Sequence, residues 1–459
     1  MTEDSLSRRQ MLEASLTGAV ATLAGARSSA AWAQAVASPA ARPPGANALN
    51  VEAVGYTDLD QRPAFKMAIR AVGDRWYLFT AHFYHAGWSV VDVTDPAMPK
   101  VVRFIQWPRN AYTWQVDLSG DVMITALEAA RAFPNFGLRD PSDEGVLIWN
   151  ISDPRDPRLL GQYRTGGTGT HRNFYGGGRY MHLAAGMPGY QGNIYVIVDI
   201  ADPANPKEAG RWWVPGQHTA GGESPSEEGR AISLHGPAYV VGDLAYLPYG
   251  GAGMIVLDIS DVSHPRQIGR LDFSPPFHAT LGVHTILPIP ERGIAYVNSE
   301  DISYGRGPAP FAAIVDITDP AKPFLLSIFP APVPPPGASY SSFADKPGWS
   351  GPHNSNTLQH HPDVQRQGSL FYLTQFNAGL RIYDVSNKRL PIEVGFFMPP
   401  EPERRYGPIP EGTLALQTED VVVDRRGFIY ISDKNQGVWI VRYTGPAPTI
   451  GQGQSGSQR

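Results

Sequence analysis

The stretch IVLDISDVSHP, Ile255 to Pro265, decides the fold. It opens as an apolar, β-branched run, the composition of a buried strand. It then breaks at Asp258, with Asp261 and Pro265 close behind. Asp can hydrogen-bond its own backbone and Pro fixes φ, so the break reads as a tight turn. The same string recurs as SVVDVTDPAMP (Ser89 to Pro99), VLIWNISDPRDP (Val146 to Pro157), VIVDIADPANP (Val196 to Pro206), AIVDITDPAKP (Ala313 to Pro323) and RIYDVSNKRLP (Arg381 to Pro391). The aligned positions Asp92, Asn150, Asp199, Asp258, Asp316 and Asp384 are spaced by 58, 49, 59, 58 and 68 residues. A degenerate seventh copy, VWIVRYTG, runs from Val438 to Gly445. Self-similarity at such a period marks stacked or radial repeats.

Each unit has one grammar. A strand leads through a Gly/Asp turn into an aromatic-rich strand such as AYLPY, then a Gly loop, the apolar run, the turn and a fourth strand such as QIGRLDF. Four antiparallel strands repeated radially describe a propeller blade. The predicted fold is therefore an all-β, seven-bladed β-propeller spanning 51–445. The last unit lacks a fourth strand, while NVEAVGYTDL, Asn50 to Leu59, stands spare before the first. That spare strand is predicted to complete the last blade and remove an open edge. Composition agrees: 48 Gly, 43 Pro and 18% charged residues suit many turns better than long helices.

The N-terminus is read as a separate, processed segment. SRRQML, Ser7 to Leu12, precedes a short apolar run and then AAWAQA. A charged start, a short apolar stretch and A-x-A spacing make an export signal, and Arg8-Arg9 resembles the twin-arginine type. The expectation is a signal over 1–35 cleaved after Ala33 or Ala35, a linker over 36–50 and a disordered tail over 446–459. The apolar run is too short and too rich in small residues to stay in a bilayer. This places the mature protein in the periplasm, with the twin-arginine export machinery as the precursor's partner. A net charge of -5 without a basic stripe gives no footprint for nucleic acid. With no cysteine, disulfides, thiolate metal sites and a Cys nucleophile are excluded. GQGQSG (Gly451 to Gly456) and NIS (Asn150 to Ser152) match a nucleotide motif and a glycosylation motif without the structural context either needs.

The first strand of each unit carries the chemistry. Counting back eleven residues from a second-strand position, with one extra in the fifth unit and the start of the longer hairpin taken in the sixth, gives one residue per blade: Lys66, Thr113, His171, His235, His284, His353 and Glu419. Equivalent positions on innermost strands should face the axis at one height. Only 12 residues are His, so four in consecutive units stand out. Neutral imidazoles bind Zn, Cu, Fe and Ni. The expected metal ligands are His171, His235, His284 and His353, with Glu419 and Lys66 as catalytic candidates; the alternative is that these histidines bond neighbouring blades and hold the ring. Lys66 could pair with Glu419 across the seam or hold an anionic substrate. His82, Glu128, Glu300, Asp301 and Asp433 end second strands and could orient a ligand, or be solvated acids. His360-His361, in a long hairpin, reads as exposed or as a cover for the mouth. His182 and His264 are read as lying off the site.

Runs such as VIVDI make the chain similar to the LVIVD-repeat propellers, over Val51 to about Tyr443. The resemblance implies fold and leaves function open. Two more distant likenesses are the carotenoid-cleavage oxygenases, propellers holding iron with four axial histidines, and the selenium-binding proteins, propellers linked to copper. The second likeness lacks its cysteine here. What carries over is a ligand set and not a substrate. The expected function is a metal-dependent enzyme acting on a small-molecule substrate at the mouth. Iron or copper imply O2-dependent oxidation or cleavage, and zinc or manganese remain possible. Zinc would point to hydrolase or lyase chemistry, and a non-catalytic binding or scaffold propeller is the rival class.

Overall fold

The computed structural model describes residues 45–447, apart from 107–109, 225–231, 274–276 and 278–280. The expected signal over 1–35 and the expected tail beyond 447 lie outside the described residues, and so does the GQGQSG motif. No described helix is long and apolar enough to cross a membrane.

Each repeat builds a meander of antiparallel strands. The fourth repeat shows the plan: Tyr239–Val241, Leu244–Pro248, Met254–Asp258 and Arg266–Leu271 pair in sequence order. The turn after the third strand explains the repeated string. Asp258 Oδ1 accepts from Ser260 N–H at 3.0 Å, and Asp261 Oδ1 accepts from Ser263 N–H at 3.0 Å. The same paired turns stand at Asp92 and Asp95, Asn150 and Asp153, Asp199 and Asp202, Asp316 and Asp319, and Asp384 and Asn387. Two side chains therefore replace backbone partners at each corner, which is why the acids recur every three residues.

The described strands form five four-stranded sheets and one of nine strands. In the nine-stranded sheet the second and third repeats are joined at one register pair, Gly169 with Glu128. That pairing is the difference from the seven separate sheets expected from sequence. Val51–Thr57 pairs antiparallel with Val438–Tyr443, so the spare strand completes the last sheet. Asn47–Leu49, read from sequence as linker, instead forms a strand on Ile392–Met398 of the sixth repeat.

Neighbouring repeats meet through a tight backbone approach. A Cβ at Gly210 in the third repeat would overlap the Val262 carbonyl in the turn of the fourth. Gly161 against Pro203 and Gly269 against Pro320 repeat the arrangement. Gly55, on the closing strand, meets Pro96 of the first repeat in the same way. The seam thus uses the packing seen at three other junctions, and the sheets close into a propeller with no free sheet edge there.

Candidate functional site

The innermost strands do not run straight past the axis. In the first repeat Ala64 pairs His82 and Met67 pairs Thr80, leaving Phe65 and Lys66 against one residue. The third repeat leaves His171 and Arg172 between Thr170 and Asn173, and the seventh leaves Glu419 and Asp420 between Thr418 and Val421. His284 stands alone between Val283 and Thr285. Each is a β-bulge, which bends the strand and re-aims side chains that alternation would send to opposite faces. These four bulges fall on ring positions, and at three of them two residues can enter the channel; His235 and His353 lie outside the strands.

The four histidines follow one another as an arc. Ring centroids are 4.6 Å apart from His171 to His235, 4.7 Å from His235 to His284 and 4.6 Å from His284 to His353. Glu300, at the end of the fifth repeat's second strand, meets three of them. Its Oε2 lies 3.1 Å from His235 Nε2 and 3.4 Å from His284 Nε2, and its Oε1 lies 3.5 Å from His353 Nε2. One ligand atom from each of His235, His284 and Glu300 falls within 4.8 Å of the other two. His171 is not among Glu300's contacts; its Nδ1 is 2.5 Å from Glu128 Oε2.

The ring protons follow from the partners. Thr285 Oγ1 donates to the His353 carbonyl at 3.0 Å, so toward His284 Nδ1, at 2.7 Å, it accepts. His284 therefore carries its proton on Nδ1 and a lone pair on Nε2. His353 Nδ1 donates to the Glu419 carbonyl at 2.8 Å, and His171 Nδ1 donates to Glu128 when that carboxyl is ionised. All three present Nε2 as an acceptor, and His284 Nε2, fully buried, has no hydrogen-bond partner among the described residues. Burial first, then nearby positive groups, push His171, His284 and His353 well below the usual histidine range, so they are neutral at pH 7. Burial raises the Glu300 carboxyl, but His235, Lys434 and Arg172 outweigh it and hold it below its ordinary value.

The remaining candidates sort by contact. Glu419 lies beside His353, with Oε2 3.3 Å from its Nδ1, and its Oε1 pairs with the buried Lys434. Lys434 itself sits among Phe65, Phe83, Trp349 and Phe376. Lys66 does cross the seam, but to Asp420 Oδ1 at 2.7 Å and not to Glu419. The reason is hairpin length: Val72 pairs Arg75 in the first repeat, while Val423 pairs Ile429 in the seventh. Counting from a fixed aromatic residue therefore lands Lys66 opposite the wrong member of the bulge. Thr113 is fully buried, next to Trp114 in the chain. His82 is a satisfied core residue on Ser89 and Pro63, and Asp433 caps backbone N–H groups of Gln417 and Asn435. Asp301 accepts from Ser303. His182 bonds Tyr195 and His264 bonds Asp261, both away from the cluster.

Two covers enclose the channel. Above the cluster Phe65, Phe83, Trp114 and Phe133 pack edge to face, and Trp114 and Phe133 reach the His171 ring at 5.5 and 5.8 Å. Farther along the strands the loop carrying His360 and His361 bonds Leu118, Ala71 and Val423 through His360, Asp363 and Gln365. It thus ties the first, second and seventh repeats together as a plug. The expectation of an exposed pair is corrected: His361 is buried and His360 largely so, because the loop lies across the channel.

Residues 189–213, 238–272 and 362–398 match the LVIVD repeat, falling on the third, fourth and sixth repeats. Among solved structures, one titled streptogramin B lyase is similar over 85% of this chain and 97% of its own, at TM-score 0.48 and 12% identity. A computationally designed protein, Ika8, is similar over 84% and 98%, at TM-score 0.45 and 7% identity. A functionally unknown protein from Desulfotomaculum acetoxidans DSM 771 is similar over 60% and 73%, at TM-score 0.38 and 12% identity. No curated protein matches the chain.

Proposed function

We propose that this LVIVD-repeat propeller is an exported, metal-dependent enzyme that works on a small organic substrate beneath its aromatic cover. The observation that carries the reading is the convergence of His235, His284 and His353 on Glu300. Their protons are tied elsewhere where partners define them, which is how ligating imidazoles are held. His235, His284 and Glu300 form a two-His, one-carboxylate set, with His353 and His171 extending the arc. Such a set suits non-haem iron, and it also suits catalytic zinc.

A bound divalent transition metal would supply Lewis acidity and, for iron or copper, the means to use O2. The chain's own residues do the rest. Glu128, Thr285 and the Glu419 backbone fix three rings in one tautomer. Glu300 contributes the negative charge that a cation needs in a buried site. Phe65, Phe83, Trp114 and Phe133 keep water out and offer an apolar wall to a substrate. O2-dependent oxidation or cleavage in the periplasm is the reading favoured; the twin-arginine signal fits a protein exported folded and loaded.

Elemental analysis of protein purified after native export tests this. Iron or copper near one per chain, lost in His235→Ala and retained in His182→Gln, supports it. Zinc moves the chemistry to hydrolysis or elimination. Protein with no bound metal, or full metal in His235→Ala, leaves a binding propeller.

A further inference from the structure

Arg172 follows His171 directly, and the bulge turns both into the channel. It is 1% exposed, among the largest fully buried side chains of the protein. Its Nη2 lies 3.5 Å from His353 Nε2, at the limit of a hydrogen bond. Its Nε and Nη1 have no partner among the described residues. No described carboxylate lies within 4.0 Å of it, although the buried Lys66 and Lys434 near it each have one. Its guanidinium instead lies over the Phe65 ring at 4.8 Å. Arg172 thus reaches from the third repeat toward the first and sixth, beside the arc of histidines.

A guanidinium has five donors and stays charged. Removing one from water with at most one donor used is strongly unfavourable unless an anion completes the site. Two neighbouring acids are already committed, Asp420 to Lys66 and the Met67 N–H and Glu128 to His171, while Glu300 faces the histidines, nearest to His235 Nε2 at 3.1 Å. A divalent cation at the histidines would add positive charge and increase the need for an anion beside it.

We propose that Arg172 is the substrate-recognising residue, and that the substrate is a small organic carboxylate with an apolar body. The carboxylate takes the free donors of the guanidinium in the forked geometry that arginine favours. The apolar body lies under Phe65, Phe83, Trp114 and Phe133, within reach of the cluster. This deepens the proposed function, resting on its reading of the cluster as a substrate site but not on the metal.

The test titrates the full-length mature protein, both as purified and after chelator treatment, with benzoate, benzamide and sulfate by calorimetry. Benzoate and benzamide share size and ring, so their difference reports the charge. Benzoate binding at least tenfold tighter than benzamide in both preparations is expected. Arg172→Gln should bring the two to equal affinity, and Arg172→Lys should keep part of the preference. Equal binding of benzoate and benzamide by the unaltered protein overturns the proposal without any variant. Sulfate bound in preference to benzoate also overturns it, since the site then takes a bare oxyanion. Metal content is measured on the same samples: carboxylate preference without metal removes the catalytic reading alone, and metal without carboxylate preference removes only this proposal.

Discussion

His284 Nδ1 lies 2.7 Å from the hydroxyl of Thr285, the next residue, and that hydroxyl's own proton goes to the His353 carbonyl at 3.0 Å. One side chain therefore sets the tautomer of one imidazole and fixes the backbone that carries another. Thr285→Val keeps the shape and removes both bonds. The expected result is a folded protein whose metal affinity falls by about 10–100-fold, the usual effect of losing an outer partner of a ligating imidazole. Competition titration with a chelator of known affinity reads it, and unchanged affinity would show that the tautomer is set some other way.

The repeat grammar was open to reading because every corner uses the same two side-chain turns, and turns of that kind show directly in sequence. The ring of first-strand residues was visible for the same reason. The bulges were not. Strict alternation sends Arg172 to the face opposite His171, so nothing marked it as a channel residue, and Lys66 was matched with Glu419 when its structural equivalent is Asp420. Glu300 was one of five acids or histidines ending second strands. Only three-dimensional contact separates it from His82, which is a satisfied core residue, and from Asp433, which caps backbone.

The seam pair offers a stability test. Lys66 and Asp420 are both buried, and burial lowers the lysine's proton affinity while Asp420 opposes that shift. Lys66→Met leaves the carboxylate without its cation, and a loss of about 3–5 kcal/mol is expected. Lys66→Met with Asp420→Asn should recover much of it. Metal content per folded chain should not change in either protein. Denaturant unfolding and elemental analysis decide, and a loss of metal equal to that in His235→Ala would show that Lys66 serves the site and not only the seam.

Ring closure can be tested at a glycine. Gly55 approaches Pro96 as Gly210 approaches Val262, with no room for a Cβ at either. Gly55→Ala and Gly210→Ala should each destabilise the fold by about 1–3 kcal/mol, the range for overpacking. Gly368→Ala, where a Cβ meets nothing, should be nearly neutral. If Gly55→Ala were as harmless as Gly368→Ala, the closing strand would not be held by the junction seen elsewhere.

Acid should loosen the fold through neutral buried histidines. Burial lowers His182 to about 3, and burial also lowers His82 to about 3 against the opposing Pro63 carbonyl. Because the folded values lie below the unfolded value near 6.5, the unfolded chain takes the proton first. The stability they contribute is complete above that value and is lost as pH falls from about 6.5 toward 3. Each contributes a slope of about 1.4 kcal/mol per pH unit inside that window. His182→Gln should reduce the slope of unfolding free energy between about pH 6 and 4 by that amount, leaving metal content unchanged. Superimposable pH profiles for the two proteins would mean that His182 is charged in the fold.

The last prediction separates three ligands from four. Glu300 reaches His235, His284 and His353 but not His171, whose Nδ1 is held by Glu128 at 2.5 Å. Burial raises the Glu128 carboxyl to about 8, against opposing pulls from His235, Trp114 and Arg172. Below about pH 8 that group therefore holds a proton, which weakens its hold on the His171 tautomer. His235→Ala and His284→Ala should therefore abolish metal binding, while His171→Ala should weaken it by a smaller factor. Glu128→Gln should reproduce the His171→Ala effect, because an amide can leave the imidazole in either tautomer. Metal affinity of the unaltered protein should rise between about pH 7 and 9 as Glu128 ionises, and Glu128→Gln should lose that rise. Chelator competition at several pH values measures both. Loss of all metal in His171→Ala would make the site a full four-histidine centre; the same mild loss in all three alanine variants would place the metal elsewhere.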